Sequence, residues 1–419
     1  MTQRYHFFPR FAAALLLISM MLSLCACGLN APESVKAGNL TQQINPKTVK
    51  GKAADTAFVA SQYAFAAELL KASYADDRGN CLISPLSAEL ALAMTANGAA
   101  GETLSQMLDV IGGGLPLEDL NAYLYEYVNS LPVKNGKSKL AIANSLWLND
   151  VHSFSVRDDF LRDVVSYYGA DIYKLPFNSE MPKEINGWVS EKTDKMIKKI
   201  VEDVGPDARM FLINAVCFDG KWVQPFTGSQ KAPFTDADGN ELKADMMYSE
   251  ETTYYEGDGY TGFAKYYENG CRFVALLPDE KTGLADLIAG LDGAKLSAIL
   301  SGGTGDDVII GLPKFSYEYE ASFKERLKEL GMRDAFAINA DFSRMSEEPL
   351  FIDGVLQKTF IEVTEAGTKA AAVTAVTMAA KAIAASEPKR VTLDRPFLYM
   401  IVDNEHSLPI FIGTVETVK

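Results

Sequence analysis

Two histidines beyond the first few residues, His152 and His406, are the side chains that could serve as general bases. A serine hydrolase built on either would need a nucleophile placed beside it. No Gly-x-Ser-x-Gly elbow occurs in the chain, and neither does a His-Glu-x-x-His zinc helix or a Gly-x-x-x-x-Gly-Lys-Ser/Thr phosphate loop. Gly302-Gly303-Thr304-Gly305 is glycine-rich but runs into Asp306-Asp307, the wrong charge for phosphate, and reads as a turn. Cys81, Cys217 and Cys271 are separated by 136 and 54 residues, which fits no zinc or redox motif, and the last two sit in apolar runs where buried, inert thiols are expected. No metal or cofactor is therefore expected, and a hydrolase is without support from any motif. The remaining chemistry lies in a different kind of segment. From Glu365 to Arg390 the chain is rich in small residues and almost uncharged until its end, between two strand-like stretches. A loop of that length inside a compact domain is usually functional, and its composition suits a strand that has not yet joined a sheet.

The elements that would hold this loop can be read from periodicity. Phe58, Phe65 and Leu69 mark a first helix beginning near Asp55. Ser84-Pro85 opens a second, with Ser84 as cap and Pro85 at the first helical position, and Gly98 is expected to end it. Trp188–Ile200 is expected to be helical, as is a stripe of Tyr319, Phe323, Leu327 and Leu330 ending at Gly331. Strands are expected at Ala141–Leu148, Phe211–Phe218, Phe273–Leu277, Val308–Phe315, Phe360–Val363, Phe397–Val402 and Ile410–Val415. Several are continuously apolar, as strands buried on both faces are. Helices dominate the first third and strands the rest, which argues an α+β fold.

The formal charge of −15 argues against nucleic acid as the main partner. Arg4 and Arg10 precede an apolar run from Phe11 to Leu24, short for a bilayer span and right for an export signal. It ends in Leu24-Cys25-Ala26-Cys27-Gly28, which resembles a bacterial lipoprotein cleavage box with Cys27 as the lipidated first mature residue. An ordinary cleaved signal with an incidental cysteine is the alternative. The expected organisation is a signal peptide over 1–26, a flexible tether over 27–54 containing Pro32, Gly38, Pro46 and Gly51, and one domain over 55–419. The product would be exported and either anchored at the cell envelope, with the lipid as its sole membrane contact, or released.

Several segments together resemble the serpins, a family of protease inhibitors. Asn80-Cys-Leu-Ile-Ser-Pro-Leu-Ser87 with Leu92–Thr103 is similar to the family's second-helix motif. Asn144-Ser-Leu-Trp147, Phe211-Leu-Ile-Asn-Ala215, Lys221-Trp222 and Pro225-Phe226 resemble its central-sheet motifs. Leu312-Pro-Lys-Phe315, Leu330-Gly-Met332, Ala340-Asp-Phe-Ser343, Asp394–Tyr399 and Pro409–Thr414 follow in family order, so the likeness covers residues 55 to 419. It implies three β-sheets, eight or nine helices, a monomer, and an exposed reactive loop. A serine protease would cleave the loop and be trapped as an acyl-enzyme while the loop enters the central sheet.

The loop suits that mechanism. As a strand, one face carries Thr368, Ala370, Ala372, Thr374, Val376 and Met378, with no charge, while Lys369 falls on the other face. Glu365 and Gly367 resemble the hinge. The fifteen residues from Gly367 to Lys381 would extend to roughly 50 Å. The family's usual spacing from the hinge glutamate places the reactive bond at Lys381–Ala382, which fits trypsin-like proteases. Met378, Ala380 and Ile383 are alternative positions, suited to elastase-like or subtilisin-like pockets. The resemblance also assigns Ser84, Ser87 and Asn214 to the polar cluster beneath the point where the sheet opens, the shutter. Gln357 stands there in place of the family's usual histidine, which makes a pH-gated opening doubtful because an amide cannot titrate. Trp222 and Lys314 are assigned to the top of the sheet, the breach, with Lys314 facing Glu365. A non-inhibitory surface-binding protein of the same fold remains the rival reading.

Overall fold

The computed structural model describes residues 38–76, 79–131, 139–150, 154–205, 208–369 and 387–418. Among these are nine α-helices: α1 (Thr56–Asp76), α2 (Pro85–Ala96), α3 (Gly101–Gly112), α4 (Leu117–Ser130), α5 (Asp158–Tyr168), α6 (Met181–Lys192), α7 (Gly283–Ala289), α8 (Gly293–Ser301) and α9 (Lys324–Glu329). Three sheets accompany them, so the architecture is the expected α+β one.

The central sheet has the order β11 (Phe315–Ser322), β12 (Gly354–Val363), β13 (Gly367–Thr368), β4 (Met210–Lys221), β2 (Lys139–Asn149), β3 (Asp171–Leu175). A second contains β1 (Leu82–Ile83), β16 (Pro409–Val415), β15 (Phe397–Asp403), β9 (Cys271–Pro278), β8 (Tyr260–Tyr266) and β7 (Tyr254–Gly257). A third contains β14 (Lys389–Thr392), β10 (Val308–Pro313), β6 (Glu241–Glu251) and β5 (Ser229–Thr235). Every residue of β9, β15 and β16 is buried, which is why those segments read as unbroken apolar runs. β12 alternates buried and half-buried positions instead, one face on the core and one toward solvent.

Local chemistry sets the helix starts. Asp55 Oδ1 accepts from the Phe58 N–H at 3.0 Å and caps α1. Ser84 Oγ accepts from Ser87 N at 3.3 Å, with Pro85 in the first turn of α2. All of α2 is buried between the central sheet and its neighbouring helices. Its last helical residue is Ala96, Asn97 is the C-cap with its Nδ2 donating to Ala93 O at 2.8 Å, and Gly98 stands directly after the cap.

Three element expectations are corrected. The helix expected at Trp188–Ile200 is Met181–Lys192: Asp194 and Lys195 take left-handed φ of 49° and 63° and break it. Ile197 and Ile200 are buried all the same, so their apolar spacing is real but carried by irregular chain. Tyr319 lies in β11 and only Lys324–Glu329 is helical, so that stripe joined a strand to a short helix. The run Val308–Phe315 is two strands in different sheets, divided at Lys314, whose N–H donates to Asp245 O at 2.9 Å.

The second half of the expected tether also differs. Leu40 N donates to Ile172 O at 2.8 Å, Lys47 N to Ser166 Oγ at 2.9 Å and Lys52 N to Ala122 O at 3.1 Å. From Gly38 onward the chain is thus an arm laid along β3, α5 and α4.

Candidate functional site: the hinge and the seam of the central sheet

β12 and β4 run parallel and pair directly from Gly354↔Phe211 to Phe360↔Cys217. Parallel neighbours joined this way leave a seam that a strand of opposite direction could fill. At the top of the seam that strand has begun. β13 pairs antiparallel with both neighbours, Thr368 lying opposite Val363 of β12 and Gly220 of β4. Gly367 is required by close approach: a Cβ there would lie 2.1 Å from Gly220 O. Lys369 N donates to Glu362 O at 2.6 Å, and Lys369 itself, just past β13, has a left-handed φ of 54°.

Glu365 and Trp222 hold the hinge from above. Phe226 N donates to Glu365 O at 2.9 Å and Trp222 N to Ala366 O at 3.1 Å. The Trp222 indole N–H donates to Thr364 O at 3.0 Å. Lys314 Nζ lies 3.0 Å from Glu365 Oε2, as the resemblance implied. Burial pushes the Glu365 carboxyl up, but its own backbone N–H and the Lys314 ammonium outweigh this and hold it below the usual glutamate value.

Lower in the seam the four polar residues assigned from sequence come together, all fully buried or within 1% of it. Gln357 Oε1 accepts from Ser84 N at 2.8 Å, while its Nε2 donates to Ser84 O at 3.0 Å and to Asn214 Oδ1 at 2.7 Å. Asn214 Nδ2 faces the Ser87 carbonyl at 2.9 Å, the Ser87 hydroxyl and Asn144 Oδ1. Ser84 Oγ donates to Ile410 O at 2.8 Å. The carboxamide therefore satisfies donors and acceptors at once, with no titratable group in the cluster.

Two members of the site were not assigned from sequence. Asn144 lies opposite Asn214 across β2 and β4 and completes the cluster; it was visible only as part of a motif. Tyr267 stacks on Trp222 with ring centroids 4.2 Å apart, and its hydroxyl lies 2.5 Å from Thr368 Oγ1. The signal for it was Tyr266-Tyr267 at a strand end, where alternation leaves the first 38% and the second 2% exposed.

Other candidates fall elsewhere. His406 lies beside Asp403, whose carboxylate already accepts from Tyr127 Oη and from the backbone N–H groups of His406 and Leu408. Nearby Cys271 is buried and its thiol is pushed up to about 12 by burial, so it carries no activated nucleophile. Cys81 and Cys217 are likewise buried. Cys27, His152, the loop positions Ala370, Ala372, Thr374, Met378 and Ala380, and the bond Lys381–Ala382 with Ile383 lie outside the described residues.

Comparison with known proteins fits this geometry. The chain is 32% identical over 356 residues to a serpin-like protein of Thermococcus kodakarensis, covering 82% of each. It is 45% identical to the thermophilic serpin tengpin in its native state, with a TM-score of 0.86 over 92% of this chain and all of that one; against tengpin in its latent state the TM-score is 0.76. The family model described as serpin (serine protease inhibitor) matches residues 60–418, and the chain belongs to the serpin family, whose members are generally protease inhibitors.

Proposed function

We propose that this serpin is inhibitory and acts as a suicide substrate for serine proteases of trypsin-like or elastase-like specificity. The observation that carries this reading is the seam itself: β12 and β4 are paired directly below a two-residue strand of opposite direction that has already started between them. Continued in the register of Thr368, the loop meets Thr374 six residues further on, opposite Gln357 of β12 and Asn214 of β4. Small residues at 370 and 372 pass first, and no charge lies on that face, so entry meets no buried-charge penalty. Each further pair adds backbone hydrogen bonds, and a protease acylated at Lys381 would be carried with the strand. The bond Lys381–Ala382 is the reactive one in this reading; Met378, Ala380 and Ile383 offer a second specificity for small apolar pockets. Cys27 would carry lipid and hold the inhibitor at a bacterial envelope.

Incubation with trypsin and with an elastase tests this. The expected product is a covalent complex that survives denaturant, together with a released C-terminal peptide beginning at Ala382. Clean cleavage of the loop without a complex would sink the inhibitory reading in favour of a binding protein on the same fold.

A further inference from the structure

We propose that Tyr267 is a positioning residue for loop insertion: its hydroxyl holds Thr368 in the sheet, so that the first pairs of the incoming strand exist before a protease arrives. The proposal rests on the inhibitory reading above.

The geometry that supports it is closed on every side. The Tyr267 ring is wedged between Trp222, stacked at 4.2 Å, and Phe218, edge-on at 4.9 Å. Its backbone is fixed by a bridge to Trp222 and by Tyr267 N donating to Cys271 O at 3.0 Å. A ring held this way can aim its hydroxyl in only one direction. That direction is Thr368 Oγ1, at 2.5 Å. Thr368 is 1% exposed and is β-branched, so few rotamers are open to it. Among the described residues neither hydroxyl makes another hydrogen bond.

Two buried hydroxyls that satisfy only each other are a coupled pair. Removing one orphans the other, whereas removing both leaves an apolar contact with nothing unpaired. If Thr368 leaves the sheet, the Tyr267 hydroxyl loses its partner in an aromatic pocket. The pair therefore favours the started strand over a withdrawn hinge. Once the loop is cut, the outcome depends on whether insertion outruns hydrolysis of the acyl-enzyme, and a strand already in register begins that contest ahead.

The test is a double-mutant cycle of Tyr267→Phe and Thr368→Val, with Thr368→Ser as the conservative control. Hydrogen exchange at the Lys369 amide, which is bonded to Glu362 O, reports the hinge in the free protein without any protease. Tyr267→Phe and Thr368→Val should each speed that exchange about tenfold. The double variant should be no faster than either alone, and Thr368→Ser should match wild type. With trypsin, the same single variants should raise the amount of cleaved inhibitor per trapped protease severalfold, and Thr368→Ser should not. Unchanged exchange in Tyr267→Phe, or effects that simply add in the double variant, would overturn the proposal. Should Tyr267→Phe fold poorly, Thr368→Val reads the same pair from the loop side. A wild type that traps no protease defeats the inhibitory reading, while the exchange data still decide whether the pair holds the hinge.

Discussion

Gln357 Nε2 donates to Asn214 Oδ1 at 2.7 Å, and this bond crosses the seam along which β12 and β4 would part in the proposed insertion. The same carboxamide ties both strands to the start of α2 through Ser84. Were the sheet to open there, the seating of that helix would be disturbed with it.

Gln357→Leu keeps the volume and removes every one of those bonds. Buried groups left unpaired cost about 1–3 kcal/mol each. The thermal midpoint should fall and trypsin inhibition should be lost faster on warming. A midpoint equal to wild type would show that the seam is held by packing alone. Gln357→His would instead place a group titrating near neutral pH in the seam, so the rate of that loss should become pH-dependent only in this variant.

Thr368→Arg brings a guanidinium to a position that is 1% exposed and faces an aromatic pocket. Desolvating that charge without a partner is costly, so the hinge should withdraw and insertion should slow. Cleavage by trypsin should continue while the covalent complex disappears; undiminished trapping would mean that this residue does not enter first.

Lys369→Val acts on the left-handed residue that follows β13. A left-handed conformation costs an L-residue about 1–2 kcal/mol, and a β-branched side chain tolerates it worst. The variant should favour extended backbone at 369 and speed spontaneous insertion, read as faster loss of inhibition with a gain in heat stability. Lys369→Gly should do the opposite. Identical rates in the two variants would refute a role for that conformation.

Glu89 provides a pH prediction. It is fully buried on α2, its Oε1 accepts from Gln62 Nε2 of α1 at 2.6 Å, and Tyr127 of α4 and Tyr168 of α5 face it. Burial pushes its carboxyl up to about 8. Because the folded value lies above the unfolded one, the stability it permits is complete below the usual glutamate range and is lost as pH rises toward about 8. Across that window wild type should lose about 1.4 kcal/mol per pH unit relative to Glu89→Gln. Denaturation midpoints of the two proteins from pH 5 to pH 8 measure it, and parallel curves would contradict it.

The site was legible in sequence to the extent that its members sit in strong local patterns. Ser84 announced itself as a cap by the Ser-Pro helix start, while its place in the buried cluster, with Ser87 and Asn214, came from the family resemblance. Lys314 with Glu365 also met as expected, though that pair is partly exposed and is worth under about 1 kcal/mol. Tyr267 showed in the sequence only as the second of two tyrosines at a strand end; its contacts with Trp222 and Thr368 were not legible, because those residues are far away in the chain. The misplaced helix at Trp188–Ile200 shows the same limit: apolar spacing reports burial, while backbone breaks at Asp194 and Lys195 decide conformation.

The sequence alone determined the fold class, the family and the absence of charge on alternate residues from Thr368 to Met378, since composition, alternation and ordered motifs are properties of the chain itself; Glu365 and Gly367 stood as the expected hinge through the resemblance. Only the tertiary structure decided that the hinge is already seated. That depends on the register of three strands, on a 2.1 Å approach that only glycine permits at 367, and on two hydroxyls that meet across about a hundred residues of chain. Local preference can make a segment ready to be a strand; which neighbours it pairs with, and where it stops, is settled by the packing around it.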